Sequence, residues 1–291
     1  MRMLIGILVA YLAVPGSAIQ RCAAPAPSPE LVKNTTDQTV ERGMLENFTV
    51  DTYVHVITTQ AKKNRYPKAM VEQQMKIMNV KFAPYSFQFR TNDINYTVSD
   101  RWATFDGIKK HTAKADPVLA QVEEEFKTML HKGNYSTLNI YVLSDMKWAY
   151  GSAAVPLVNP TPTEVIADGI MLSAETMPGG EAVNKYGVYN LGYTAIHETG
   201  HWLGLNHVFS EDRTGSSVPF CGDSGDNVDD TPAQITPTRG CPEKKDSCPQ
   251  QPGKDSIHNY MDYSADSCMT EFTWGQKMKM EQSFAEYRKG R

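Results

Sequence analysis

Long apolar segments are nearly absent from this sequence of 291 residues. Only the N-terminus carries one, and a transmembrane helix needs about 20 consecutive apolar residues, so nothing later in the chain is expected to cross a membrane. Basic runs are absent as well, and the 33 acidic residues outnumber the 29 lysines and arginines, for a net charge of −4. Proteins that bind nucleic acids usually carry a basic patch. We therefore expect no nucleic-acid partner.

The one apolar run, Met1–Ala18, has the pattern of a secretory signal peptide. Arg2 precedes the apolar residues 4–14, and three small residues follow at 16–18, which is the order typical of a cleaved signal. The apolar part is too short to span a bilayer comfortably, although an uncleaved anchor is the alternative. We expect a secreted, extracellular protein.

Sequons and cysteines agree with secretion. Asn-x-Ser/Thr sequons matter only in a glycosylating secretory pathway, and they begin here at Asn34, Asn47, Asn95 and Asn134. The chain has 5 cysteines, of which all but Cys22 lie in its last third: Cys221, Cys241, Cys248 and Cys268. An oxidising compartment would pair these four, and their spacing alone leaves all the possible connectivities open.

The chain divides into a polar N-terminal segment and one long folded region. Residues 19–46 are rich in Pro, Ala, Ser and Thr, which favours a pro-segment or linker outside the core. From residue 47 onward, predicted strands at 48–57, 87–98, 138–143, 150–155 and 169–172 alternate with helices that begin at Pro67 and Pro117. A break is expected at Asn92. Beyond residue 210 the chain is dense in Gly, Pro, Asp and Ser until a final helix at 274–287, so disulfides must hold this part.

The stretch Thr194–Phe209 contains the pattern H-E-x-x-H-x-x-G-x-x-H. On a helix, residues four apart share one side, so His197 and His201 can reach the same metal ion. Gly204 can adopt the backbone angles that end a helix sharply, and the turn would bring His207 round as a third ligand. Three imidazoles with one open position are typical of a catalytic zinc, since a structural zinc is closed by four protein ligands.

Glu198 lies beside the metal-binding histidines. It could accept a proton from a water bound to the zinc and pass that proton to the leaving amine. These roles describe hydrolysis of a peptide bond without a covalent intermediate. A glutamate as third ligand, as in gluzincins, is disfavoured because Gly204 and His207 are both present.

The extended motif is the metzincin signature, and His207-Val208-Phe209 resembles the pappalysin branch, which includes secreted, ulilysin-like proteases of fungal type. A second stretch, Asn259–Ser264, is similar to the Met-turn of that branch. The resemblance implies that Met261 forms an apolar floor beneath the metal. It also implies that Tyr263 approaches the metal or stabilises the oxyanion, where a phenol could donate a hydrogen bond to developing charge.

Further expectations come from the resemblance. It implies a metzincin-like α+β fold, with a twisted mixed sheet and the active-site helix in an upper subdomain at 47–207. The lower subdomain, 208–291, would be irregular and disulfide-rich with a C-terminal helix. Disulfides are implied between Cys221 and Cys248 and between Cys241 and Cys268. Cys22 is similar to a pro-segment cysteine that blocks the zinc, although Ala23 stands where the family tends to have Gly; an inert leftover thiol is the alternative.

The acidic loop at 221–232 is a candidate calcium site. Its donors would be the carboxylates of Asp226 and Asp229 and the backbone of Thr231, since oxygen-rich loops without basic neighbours suit calcium, and the loop resembles calcium-binding loops of pappalysins. Aspartates that simply favour turns are the alternative.

The sequence therefore predicts a secreted, monomeric zinc metalloendopeptidase that acts on extended peptides or proteins. The resemblance to metzincins implies that the strand after Trp148 borders the cleft, where it would bind substrate by strand addition. The alternative is a catalytically weak or inactive secreted binding protein with the metzincin fold. Loss of Glu198 or of a ligand histidine would favour that alternative, and all of them are present.

Overall fold

A computed structural model describes residues 20–23, 47–105, 117–210, 221 and 226–291, with only the backbone at 20 and at 117–120. The predicted signal peptide, Asn34 and most of the segment 19–46 lie outside the described residues. Within the described part of the chain, no helix is long and apolar enough to cross a membrane.

A six-stranded sheet forms the centre of the fold, with strand order β1-β5-β6-β4-β2-β3. Neighbouring strands are parallel except for β5 and β6, which are antiparallel. The inner strands β4 and β6 consist of apolar runs buried on both faces, as is usual for parallel sheets. The strands are β1 Gln20–Cys22, β2 Phe48–Thr58, β3 Phe87–Val98, β4 Leu138–Leu143, β5 Ala149–Ala153 and β6 Ile170–Ser173.

Helices cover both faces of the sheet and complete the expected mixed α+β arrangement. They are α1 Lys68–Phe82, α2 Asp100–Ala103, α3 Pro117–Leu130, α4 Pro162–Ala167, α5 Tyr193–Trp202 and α6 Trp274–Ser283. The last helix continues into a π-helical turn, Phe284–Arg288. A small hairpin of β7, Val183–Asn184, and β8, Gly187–Val188, precedes α5.

Helix α1 shows why the apolar spacing predicted its packing. Its buried side chains include Val71, Met75, Met78 and Phe82, which recur at intervals of three or four residues and so share one face. That face joins the larger apolar core, together with residues of α5 and of the Met-turn. On the other side of the sheet, a smaller cluster contains Phe126 from α3. The methionines therefore pack the core, as the sequence indicated.

Strand β3 is continuous, and the predicted break at Asn92 is wrong. The register with β2 shifts between Thr52 and Tyr53, because Thr91 pairs with Thr52 and Asp93 pairs with Tyr53. Asn92 is therefore the extra residue of a β-bulge, which absorbs a poor strand former without ending the strand.

The start of the segment 19–46 is not outside the core. Residues Gln20–Cys22 form β1, which adds to the free edge of β5 in parallel orientation, and Arg21 and Cys22 are each 1% exposed. An edge strand presents unpaired backbone groups, so three residues suffice to join it. A run this short has no periodicity that a sequence could reveal.

The C-terminal region packs against the sheet through irregular segments. The structure joins Cys221 to Cys248 and Cys241 to Cys268. Between Leu203 and Thr273, the described residues form turns and a single short 3-10 helix at 266–268. This region and the sheet enclose the candidate site between them.

Candidate metal centre

Helix α5 ends where the sequence predicts, and the turn after it positions the third histidine. Gly204 has φ +95°, a left-handed conformation that favours glycine. Its N–H donates to the carbonyl of His201 and the N–H of Leu205 donates to that of Gly200, both at 2.9 Å. These bonds close the helix end, and the chain then turns back so that His207 faces α5.

The three histidines converge on one point. Their Nε2 atoms lie 3.0–3.2 Å from one another, and all three residues are buried. Nδ1 of His197 donates to the carbonyl of Tyr260 at 2.6 Å, and Nδ1 of His201 donates to that of Leu205 at 2.8 Å. Because a carbonyl oxygen only accepts, Nε2 of these two rings keeps its lone pair toward the centre.

A fourth donor comes from β1. Cys22 joins the three histidines in the one group of metal-binding side chains found among the described residues, with all ligand atoms within 4.8 Å of one another. Three imidazoles and a thiolate form a donor set that suits zinc. The residues present therefore fit a tetrahedral metal ion, with the thiol on the side that a catalytic site would leave open.

Glu198 is fully buried beside this group. Its Oε2 accepts a hydrogen bond from the Cys22 thiol at 3.3 Å. Burial raises the pKa of Glu198 to about 8, while the thiol and the charge of Arg21 act in the opposite direction. A side chain on Gly151 of β5 would collide with the Glu198 carboxyl group, so the glycine provides the room that this carboxyl occupies.

The Met-turn lies directly beneath the helix. Met261 is fully buried, and a Cβ at Gly200 would lie 2.5 Å from its sulphur, so the absence of a side chain at Gly200 allows the close approach. The side chain of Asn259 holds the turn by accepting the N–H of Met261 at 2.9 Å. Met261 therefore lies against the helix that carries His197 and His201.

Tyr263 reaches the centre from the same segment. Its hydroxyl donates to the carbonyl of Cys22 at 3.3 Å. Its ring packs edge-on against His207 and Phe209, with centroids 4.9 and 4.8 Å away. The structure thus brings Glu198 and Tyr263 to the same metal-binding group.

Arg21 is a site residue that the sequence reading missed. Its guanidinium donates to the carbonyl of Ser264 at 2.6 Å and to Oδ1 of Asp266 at 3.0 Å. It also lies 4.9 Å from the ring centroid of Tyr189. Both members of the ion pair are buried. We call the space that this side chain fills the Arg21 pocket. Nothing near Arg21 in the sequence indicates this role, because its partner Asp266 lies more than 200 residues away.

The candidate calcium residues do not all come together. Thr231 Oγ1 lies 2.9 and 2.8 Å from the two carboxylate oxygens of Asp226, and both residues are buried, but Asp229 is exposed. A positive charge does reach this loop. Nζ of Lys279 on α6 donates to the carbonyl of Asp226 at 2.5 Å.

The described sequons differ in accessibility. Asn47 and Asn134 are exposed. Asn95 is partly buried in β3, where its side-chain amide donates to Nδ1 of the buried His55 at 2.9 Å. That contact holds the Asn95 side chain against the sheet, whereas the side chains of Asn47 and Asn134 are open to solvent.

Comparison with known proteins agrees with this geometry. The family model Peptidase_M43, described as Pregnancy-associated plasma protein-A, matches residues 124–285, more than half of the chain. An extracellular metalloprotease of Pyricularia oryzae is 39% identical over 283 residues, which cover 93% of this chain and 90% of that protein. This chain belongs to the pappalysin family. The family resemblance expected from the two motifs is confirmed.

Further pappalysin relatives show the same relationship in sequence and in structure. An extracellular metalloprotease of Colletotrichum graminicola is 41% identical over 244 residues, which cover 83% of this chain and 78% of that protein. The structure of mirolysin in complex with compound 9 superposes with a TM-score of 0.64 at 25% identity. The superposition covers 82% of this chain and 92% of the mirolysin chain. Mature mirolysin of Tannerella forsythia with a cleaved peptide gives a TM-score of 0.63. The α+β metzincin-like fold is confirmed, and the chain is a metalloendopeptidase.

Proposed function

We propose that this pappalysin is a secreted zinc endopeptidase made as a latent precursor. The observation that carries the proposal is the convergence of three histidine Nε2 atoms, 3.0–3.2 Å apart, beside the buried carboxyl group of Glu198. A zinc ion held by His197, His201 and His207 would polarise the scissile carbonyl and acidify a water molecule.

Each nearby side chain has a defined task in this reaction. Glu198 accepts the proton of the attacking water and returns it to the leaving amine. The Tyr263 hydroxyl, which here donates to the Cys22 carbonyl, donates to the oxyanion that develops on the substrate. Met261 supports the histidines from below without contacting substrate.

The substrate-binding edge is β5, and β1 occupies it. A productive peptide adds to this edge through backbone hydrogen bonds, and here the N–H of Ala23 donates to the carbonyl of Gly151 at 3.2 Å in their place. The edge accepts extended chains, so flexible or unfolded segments of proteins are the expected substrates. Before such a substrate can bind, β1 must leave this edge, either by proteolytic removal or because the contacts of Cys22 that hold it are lost.

Cys22 makes the precursor latent in two ways. Its thiolate would fill the coordination position that catalysis needs open. Its sulphur also lies 3.3 Å from Oε2 of Glu198, the proposed base, so it occupies the space between that carboxyl group and the metal-binding histidines. Ala23 in place of Gly does not prevent this arrangement, because the N–H of Ala23 still bonds to β5. Cleavage after Cys22, or modification of its thiol, would release both groups.

The Arg21 pocket indicates a preference for a basic residue next to the scissile bond. Arg21 directly precedes the residue at the metal, and its guanidinium is bound by the buried Asp266. When β1 leaves, Asp266 remains buried without this cation, which is unfavourable unless another positive group replaces it. A substrate arginine or lysine would supply that group.

The central test uses the processed enzyme, freed of residues 1–46, with casein and a peptide library. We expect Glu198→Ala to lower kcat/KM by at least about 10³-fold with a retained fold, and removal of zinc to abolish cleavage until zinc is restored. Equal cleavage by Glu198→Ala would overturn the mechanism. No cleavage by the wild-type protein would favour the binding-protein alternative.

Latency needs a separate measurement on the full precursor. Cys22→Ser should show activity without processing, whereas the wild-type precursor should need a thiol-modifying reagent or proteolysis. Ser152→Ala, which removes the β5 hydroxyl that donates to the carbonyl of Ala23 at 3.3 Å, serves as a control that leaves the thiol in place. A silent Cys22→Ser precursor that is activated only by proteolysis would show that the thiol is inert.

Secretion and glycosylation are part of the proposal. The predicted cleavage site after Ala18 and the exposed Asn47 and Asn134 can be checked by N-terminal sequencing and by mass loss on deglycosylation of secreted protein. We expect less complete glycosylation at Asn95, because its amide packs against His55.

A further inference from the structure

Arg239 lies at the edge of the catalytic centre and has no role in the proposed mechanism. Its guanidinium carbon lies 5.6 Å from the ring centroid of Tyr263, the proposed oxyanion donor, and 5.5 Å from that of Tyr186 in the hairpin. The side chain is exposed. A charged group has therefore been placed beside a catalytic side chain while remaining open to solvent.

The backbone that carries Arg239 is anchored on both sides. The N–H of Thr238 donates to Oδ1 of the buried Asp262 at 2.9 Å. The carbonyl of Gly240 accepts the N–H of Ala265 at 2.9 Å. Cys241, two residues after Arg239, is joined to Cys268. The segment is thus fixed to the Met-turn and its continuation, so the position of Arg239 relative to Tyr263 is preorganised.

The donors of this guanidinium are not used within the described part of the chain. The guanidinium group lies over the rings of Tyr186 and Tyr263, and a cation–π contact uses none of its N–H donors. Neither a hydrogen bond nor an ion pair to a described residue engages Arg239. A planar guanidinium presents five N–H groups in a fork that matches a carboxylate. Its chemistry therefore suits a carboxylate from outside the chain.

The neighbours of Arg239 show which part of a substrate it can reach. The guanidinium carbon of Arg21 lies 4.9 Å from the ring centroid of Tyr189, and that of Arg239 lies 5.5 Å from the ring centroid of Tyr186, three residues earlier in the chain. Arg21 occupies the pocket next to the metal. Arg239 therefore faces the same side of the scissile bond as the Arg21 pocket.

We propose that Arg239 is a specificity-determining residue that binds the carboxylate of an aspartate or glutamate in the substrate, close to the scissile bond and on the side of the Arg21 pocket. The proposal rests on the proposed peptidase function. It defines the substrate class more narrowly, as extended peptides in which an acidic residue lies near the basic one that enters the pocket. The two sites have opposite charges, so together they also fix the register of the peptide.

The test is a set of peptides in which one position at a time carries Asp or its neutral isostere Asn, with the basic residue held constant. The processed wild-type enzyme should prefer Asp at one of these positions by about fivefold in kcat/KM, the effect of an exposed ion pair. The difference should lie mainly in KM and shrink at high salt. Arg239→Gln should bring the ratio near one, and Arg239→Glu should reverse it in favour of Asn, because two carboxylates repel each other.

A matched control is Arg90→Gln, because Arg90 is also an exposed arginine but lies on β3 at the opposite edge of the sheet. It should keep the wild-type ratio. The same peptides can be titrated against Glu198→Gln, which would report the contact as a ratio of Kd values without cleavage. A wild-type enzyme that cleaves peptides without an Asp preference, or an Arg239→Gln variant that keeps the preference, overturns the role of Arg239 while the peptidase function stands. Absence of cleavage by the wild type overturns both.

Discussion

The two halves of the site are built in different ways. The half formed by the sheet and α5 relies on main-chain hydrogen bonds and apolar faces, as in β4, where every residue is buried. The other half has almost no regular structure between Leu203 and Thr273, and buried polar side chains hold the backbone there. Asp262 is typical, since its carboxylate accepts the N–H groups of Thr238 and Tyr263 at 2.9 and 2.7 Å. Both halves supply ligands or catalytic groups to one centre.

This difference shows how an irregular segment can be as rigid as a sheet. Backbone groups that are buried must be hydrogen-bonded, and where no strand or helix supplies the partner, an Asp or Asn side chain must do so. The Asp262 carboxylate serves two backbone groups, so its loss would leave both of them unsatisfied. We therefore expect the first half to be sensitive to apolar truncation and the second to loss of polar or covalent contacts.

The largest effect should come from the contact that joins the two halves. Arg288 is fully buried, pairs with Asp168 at 2.8 Å and donates to the carbonyl of Trp202 at the end of α5. Arg288→Met should lower the free energy of unfolding by about 3–5 kcal/mol, because Asp168 would stay buried without its partner. Urea denaturation of the processed enzyme measures this loss. Arg101→Met, which breaks the exposed pair with Glu125, should cost less than about 1 kcal/mol.

The two disulfides allow a sharper comparison within the second half. Each joins residues 27 apart. If a disulfide acts by limiting the entropy of the unfolded chain, removing either one should lower the free energy of unfolding by a similar amount, about 3 kcal/mol. Activity should separate them. Loss of Cys241–Cys268 frees the segment that holds Arg239 and the Met-turn, whereas Cys221–Cys248 lies away from the centre. We expect a much larger fall in kcat/KM for the Cys241→Ser/Cys268→Ser pair; equal falls would contradict the assignment.

Local patterns in the sequence predicted the elements and the metal ligands, because both depend on spacing along the chain. The helix at Lys68–Phe82 and the strand at Leu138–Leu143 follow from apolar periodicity, and His197 and His201 share a face because they are four apart. Gly204 predicted the turn that places His207, since its positive φ is a local requirement.

The remaining contacts could not be predicted because their partners are distant in sequence. Arg21 looked like part of a linker until the fold placed Asp266 beside it, 245 residues away. Lys279 lies 53 residues after Asp226, on the last helix, yet it supplies the cation for a loop that has no basic residue of its own. No spacing rule reports such pairs, since they arise only when separate elements pack.

An intermediate effect is expected at Gly151, in the sheet half. A Cβ there would collide with the Glu198 carboxyl group, so Gly151→Ala should displace the proposed base. A shift of about 1 Å can cost about 10²-fold in rate, and we expect a fall of that size in kcat/KM with little loss of stability. Ser152→Ala on the same strand is the control and should retain most activity. A fully active Gly151→Ala enzyme would show that Glu198 tolerates displacement.

Lys279 provides a test of how the second half balances its buried charge. Burial raises the pKa of Asp226 to about 6, and the Thr231 hydroxyl and Lys279 oppose this. Because this folded pKa lies above the usual 3.8, the carboxyl favours folding below pH 3.8 and loses that contribution as the pH rises through about 6. Lys279→Met should therefore destabilise the protein at pH 7.5, by about 2 kcal/mol, the size of a hydrogen bond to a charged group. Lys254→Met, at an exposed position in the same region, should have almost no effect.

The smallest effect should be that of calcium on the wild-type enzyme. A calcium ion at this loop would need the Asp226 and Asp229 carboxylates turned toward one point, but Asp226 is engaged by Thr231, Asp229 is exposed, and the Lys279 ammonium already contacts the Asp226 carbonyl. An ammonium ion and a calcium ion at the same oxygen would repel each other. We expect no change in Tm between the zinc-loaded enzyme in millimolar calcium and the same enzyme after a chelator that spares zinc. A saturable rise in Tm with calcium would show that the loop can release Lys279 and bind the ion. Lys279→Gln separates the two outcomes. If Lys279 blocks a calcium site, removal of its ammonium group should increase the rise in Tm with calcium. If the loop cannot bring its oxygens to one point, calcium should leave the Tm of both proteins unchanged.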